Sequence, residues 1–216
     1  MKTVLYIHSY PGAGPTLDLL WPGFKQLGLP MIGVETIDGE HHWPEQIDTI
    51  VIGINKNWRL DRRSLPSRLI NTLGHFLHTD YQRCVVVEYD TFFNGKMPDY
   101  EGGLVLHRAG GQLPDSRATQ FFHSPWIFDR KNAAQVIIHG SKLIEEGQCD
   151  TGSHGSPDVF LGLVVEDLGL QWEESNTFSA NTIEGPFVEP ARKAYREGCW
   201  MFHGVKNQQQ LDSFTK

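Results

Sequence analysis

The sequence predicts an α/β chain: a mostly parallel sheet with helices on both faces, followed by a more irregular half. Three observations lead there. Short apolar runs at 3–8, 31–37, 48–54 and 83–88 end at turn or polar residues, as strands buried on both faces do. Segments with apolar residues at helical spacing lie between them, at 15–27 and 65–78. The 216 residues, 39% of them hydrophobic, suit one large domain when a domain takes roughly 150 residues. Alternating strands and helices imply parallel pairing through helical crossovers.

The elements follow in order. Thr3–His8 is a buried strand closed by a Pro-Gly turn. Leu17, Leu20, Phe24 and Leu27 mark a helix, with Thr16 a plausible cap and Pro22 a weak point in its middle. Met31–Ile37 and Asp48–Ile54 are the next strands. Ser64 is placed to cap a helix whose stripe is Leu65, Leu69, Leu73, Phe76 and Leu77. Arg83–Glu88 follows, with the solid core Cys84-Val85-Val86-Val87. Residues 94–125 are rich in Gly and Pro and hold a short strand near Leu104–His107. Trp126–Phe128 is a strand, and Asp129 caps a helix through Leu143. Ser156-Pro157 opens a helix over Asp158–Leu168. A short helix near Pro190–Arg196, a last strand at Cys199–His203 and a solvated polar tail from Gln208 complete the chain. The expected division is a regular half (1–93), an irregular half (94–207) and the tail (208–216).

Composition narrows the function. A formal net charge of −7 argues against a nucleic-acid binder, which needs a basic surface. No apolar run reaches the ~18–20 residues of a transmembrane segment, and MKTVLYIHSYPG has too short an apolar stretch for a secretion signal. Cys84, Cys149 and Cys199 are odd in number and form no CxxC pair. The expectation is a cytoplasmic protein with no cysteine-built metal site.

Four constellations could carry chemistry. In VVVEYD (85–90), a buried strand runs out into Glu88 and Asp90, at the strand edge where α/β sheets bind ligands. Two such acids suit a hard divalent cation such as Mn²⁺ or Mg²⁺, or are simply solvated. In SPDVFLG (156–162), Asp158 sits in a first helical turn, where the dipole favours its ionised form; it is either a general base or an ordinary helix-start acid. In CWMFHGVK (199–206), His203 could ligate a metal and Lys206 meet a phosphate. Lys56, Arg59, Arg62 and Arg63 cluster after the third strand, as a solvated loop or as partners for a diphosphate.

The order of these motifs resembles the GT-A class of nucleotide-sugar-dependent glycosyltransferases. VVVEYD stands where that family has its metal-binding Asp-x-Asp. GGLVLHRAGG and SPWIFDRKNAAQVI are similar to its acceptor-side segment. SPDVFLG is similar to the Glu-Asp-Val-Tyr-x-Gly motif of inverting members, and FHGVK falls where many have a late metal-binding histidine. Glu88 and Pro157 depart from the pattern. The resemblance implies a GT-A-like single domain with a Rossmann-like sheet, a nucleotide-binding half at 1–93 and an acceptor-binding half at 94–207. It implies Mn²⁺ or Mg²⁺ held by Asp90 and His203, and Asp158 as catalytic base. Glu88, Lys206, the turn His8-Ser9-Tyr10 and Asn55 are then expected around a nucleotide-sugar donor, UDP-linked by preference. A sugar passes to a carbohydrate or glycoconjugate acceptor, with inversion. Trp126 is a core residue or a sugar platform.

Rival readings stay open. A catalytically silent GT-A scaffold would bind the nucleotide sugar or a partner without turnover. An α/β hydrolase matches the YIHSYPG opening, but its G-x-S-x-G elbow is missing: GSHGS (152–156) has no serine in the middle. The pairs His41-His42 and His75/His78 lack the acid spacing of a zinc helix and read as structural or solvated.

Overall fold

A computed structural model describes residues 1–37, 39–53, 64–109, 117–148 and 156–216. The first half alternates as β1 (Thr3–His8), α1 (Gly14–Gln26), β2 (Met31–Thr36), β3 (Asp48–Ile52), α2 (Ser64–Leu77) and β4 (Arg83–Glu88). The second half is less regular. It holds β5 (Thr91–Phe93), β6 (Leu104–Ala109), β7 (Phe121–Asp129), α3 (Arg130–Glu145), α4 (Pro157–Leu168), β8 (Glu173–Glu174), β9 (Thr177–Ser179), a 3₁₀ turn at Gly185–Phe187, α5 (Val188–Arg196), β10 (Met201–His203) and α6 (Gln208–Thr215).

Among the described residues the main sheet has seven strands in the order β3-β2-β1-β4-β7-β6-β8. β1 pairs parallel with β2 and β4, and β2 parallel with β3. β7 then enters antiparallel between β4 and β6. This is an α/β fold with a mostly parallel sheet flanked by helices, as expected. Side-chain alternation along the strands divides the core in two. Val4, Tyr6, Cys84 and Val86 pack with residues of α2, α3 and α4. Leu5, Ile7, Val85 and Val87 pack with α1, with Trp200–Phe202 and with Phe214 of α6. Burial on both faces explains the apolar runs of β1, β2 and β4; β3, expected to be buried likewise, lies at the end of the sheet with Val51 exposed.

Details differ from the expectations. Thr16 does not cap α1, whose N-cap is Ala13; the Thr16 hydroxyl instead donates to Lys206 O at 2.9 Å. Pro22 does not stop that helix, because Leu20, Trp21 and Phe24 bury its face. β7 is longer than Trp126–Phe128. Pro125 inside it marks a break in the run, but the ladder shifts register opposite it, between Val105 and His107, and the strand continues. The polar tail is helix α6, with Asn207 accepting from Gln210 N as cap. Phe214 anchors it, stacked on Phe202 with centroids 4.9 Å apart. Asp129 and Ser156 cap α3 and α4 as expected. The side chain of Ser64, residue Ile54 and residue Cys149 lie outside the described residues. Among the described residues no helix is long and apolar enough to cross a membrane.

Candidate metal centre

β4 delivers Glu88 at the carboxyl edge of the main sheet, and the chain turns through Tyr89-Asp90 into β5. β10 runs antiparallel to β5 and sets His203 opposite Thr91. Residues 115 positions apart thereby meet: His203 Nε2 lies 2.8 Å from Glu88 Oε2. It lies 3.4 Å from Asp90 Oδ1. The turn that follows needs glycine. Gly204 has φ +94°, and a Cβ there would lie 2.1 Å from Ala180 O. Its N–H and that of Val205 both donate to Asp90 O.

Glu88, Asp90 and His203 each offer one ligand atom, and these atoms lie within 4.8 Å of one another. Two carboxylate oxygens and an imidazole suit a divalent cation such as Mn²⁺. Asp90 is buried, and its Oδ1 makes no hydrogen bond. That oxygen faces His203 Nε2 at 3.4 Å without a hydrogen bond, so an acceptor position there stays open to a cation. Ser179 Oγ sits 2.9 Å from His203 Nδ1, which fixes the ring and leaves Nε2 toward the acids. The group can hold a metal, and the residues present fit one.

Charge is balanced within the protein. Burial alone would raise the Asp90 pKa, but His203 and Lys206 outweigh it and hold it at about 2. Burial alone would lower that of His203, but Asp90 and Glu88 push it up to about 10. Lys206 Nζ contacts Asp90 Oδ2 and lies 5.5 Å from the centroid of the Tyr89 ring.

Asp158 occupies the first turn of α4, where the Ser156 hydroxyl donates to its Oδ2 at 2.8 Å. His123 Nδ1, from β7, is 3.7 Å from the same oxygen. The helix terminus does not keep this carboxyl acidic, as the sequence suggested. Burial, and then the negative charge of Glu88, raise its pKa to about 7. Burial lowers His123 to about 4, helped by His203, so it stands neutral at pH 7. Gly162, about one turn after Asp158 in α4, allows close approach to the start of β7. A Cβ there would lie 2.0 Å from Gln120 O. Asp158, His123 and Ser179 line one cleft of about 680 Å³, walled by Phe121, Phe187 and His107.

The other expected site residues are placed as follows. His8 pairs in register with Glu88 but is buried, with Nε2 3.0 Å from Thr72 Oγ1. Burial, aided by Arg68, holds its pKa well below the usual histidine range. Ser9 is buried and its carbonyl accepts from Arg68 at 2.7 Å. Tyr10 lies under Arg68, 4.4 Å away, and edge-on to Tyr89. Asn55 and the basic cluster Lys56, Arg59, Arg62 and Arg63 lie outside the described residues. Trp126 is a core residue whose indole N–H donates to Phe122 O. His41 bonds the Thr36 backbone, His42 meets Asp18, and His75 meets Tyr6.

Sequence reasoning missed Ser179, His123 and Gln210. Ser179 and His123 carry no motif; only pairing of β9 with β10 and of β7 with β6 brings them to the centre. A comparison with protein-family models and with curated proteins finds no match for this chain.

Proposed function

We propose that this protein is a metal-dependent glycosyltransferase that moves a sugar from a nucleotide-diphosphate sugar, UDP-linked by preference, to an acceptor hydroxyl with inversion. The observation that carries the reading is the convergence of Glu88, Asp90 and His203 beside the cleft that holds Asp158. The order of the VVVEYD, SPDVFLG and FHGVK motifs, which resembles that of GT-A enzymes, supports it.

Glu88, Asp90 and His203 would hold Mn²⁺ or Mg²⁺. Such an ion, when bound, offsets the charge that develops on a departing diphosphate. Lys206 adds a second positive charge on that side. Asp158 lines the cleft, where an acceptor hydroxyl would lie. Its oxygen takes the hydroxyl proton as the acceptor oxygen bonds to the anomeric carbon. The bond from that carbon to the diphosphate oxygen breaks, and its electron pair leaves with the nucleotide. A carboxyl with a pKa of about 7 is well matched to this role at neutral pH. Phe121 and Phe187 present apolar surface for a carbohydrate ring in the cleft.

A second reading, the silent scaffold, draws on the internal pairing of both acids with His203 and Lys206. The two separate in one assay. Nucleoside diphosphate release is followed with UDP-sugars, Mn²⁺ and sugar acceptors. Release that depends on metal and falls by ~10²-fold or more in Asp158→Asn supports the transferase. Tight donor binding without release would leave only the scaffold.

A further inference from the structure

The backbone of Lys206 is held from two elements far apart in the chain. Its carbonyl accepts 2.9 Å from Thr16 Oγ1 on α1. Its N–H donates 2.6 Å to Gln210 Oε1 on α6. Gln210 is 5% exposed, although it lies in a run of three glutamines. Its side-chain nitrogen donates to Thr182 Oγ1 at 2.9 Å and to Glu184. A buried amide bonded through both oxygen and nitrogen orders whatever it touches. Here that is the turn from 203 to 206, whose Gly204 carbonyl also accepts from Ile183 N at 3.1 Å.

These restraints stop at the Lys206 backbone. Its side chain is 42% exposed and reaches back to Asp90. His203 does not depend on Gln210: strand pairing and Ser179 hold it. The clamp therefore bears on the Lys206 backbone and on the turn before it, not on the side chains of Glu88, Asp90 and His203. We propose that Gln210 and Thr16 are positioning residues for Lys206, fixing its backbone so that its ammonium is presented to a diphosphate at the metal centre. The inference rests on the transferase reading, which supplies the diphosphate.

The test measures two affinities by calorimetry on the full chain: Mn²⁺ alone, and UDP in saturating Mn²⁺. Gln210→Leu should weaken UDP by about 10-fold, the scale of one charge-assisted contact to a phosphate, and should not weaken Mn²⁺, which the displaced ammonium no longer opposes at Asp90. In a Lys206→Met background the same substitution should add almost nothing, because its effect passes through the lysine. Thr16→Val, a near-isosteric change on a different helix, should repeat the pattern and serves if Gln210→Leu does not fold. Equal loss of Mn²⁺ and UDP, or a full additional loss in the Lys206→Met background, would overturn the proposal. If the unaltered protein binds UDP with Mn²⁺ and neither substitution changes it, this inference alone fails. If the unaltered protein binds no UDP, the transferase reading fails with it.

Discussion

Asp158 is a carboxyl whose burial costs the fold. In the unfolded chain it gives up its proton near pH 3.9. In the fold it holds it to about 7. Between those values the native state binds more protons, so Asp158's contribution to stability falls as pH rises. Above pH 7 the full cost of a charged carboxylate beside Glu88 is present; below pH 4 it is gone. Asp158→Asn keeps an acceptor for the Ser156 hydroxyl and carries no charge. It should melt above the unaltered protein at pH 8 and match it at pH 4, in thermal denaturation at both values. In the proposed transferase the same group would be the base, and kcat should then rise through about pH 7 as it ionises. Lys206 gives a second prediction at this scale. Its ammonium competes with a metal for Asp90, so Lys206→Met should bind Mn²⁺ alone more tightly, as read by calorimetry.

At the scale of elements, two contacts set where α4 and α6 sit. α4 approaches β7 closely because Gly162 has no side chain. Gly162→Ala would push against the backbone carbonyl of Gln120, with an expected loss of about 1–3 kcal/mol by overpacking. The displaced helix should also lower transfer while leaving UDP affinity intact, which separate turnover and binding measurements would show. α6 rests on Phe214, buried against Phe202 and Phe92. Phe214→Ala should cost about 3–5 kcal/mol in urea denaturation. The sequence concealed this helix, since three glutamines outweigh two apolar residues, Leu211 and Phe214, in any pattern of hydrophobicity. β8 and β9 are two and three residues long and carry too few side chains for a period to show. By contrast β1, β2 and β4 were legible, because burial on both faces leaves solid apolar runs.

Over the whole molecule, local pattern revealed the parallel half and long-range pairing decided the rest. No stretch of sequence says that β7 runs antiparallel between β4 and β6. Nor does one say that β10 lies on β5, the pairing that carries His203 to Glu88 across 115 residues. The motifs named Glu88, Asp90, Asp158, His203 and Lys206, since acids and histidines at strand and helix ends are visible as such. Ser179 and His123 act through positions that only the assembled sheets define. The central claim is that Glu88, Asp90 and His203 together form one cation site on this fold. Titration of Mn²⁺ into the unaltered protein, Asp90→Asn and His203→Ala, followed by the paramagnetic signal of free ion, tests it directly. The account predicts one saturable site in the unaltered protein, lost or weakened at least 10-fold in both variants. Equal Mn²⁺ uptake by all three proteins would contradict it.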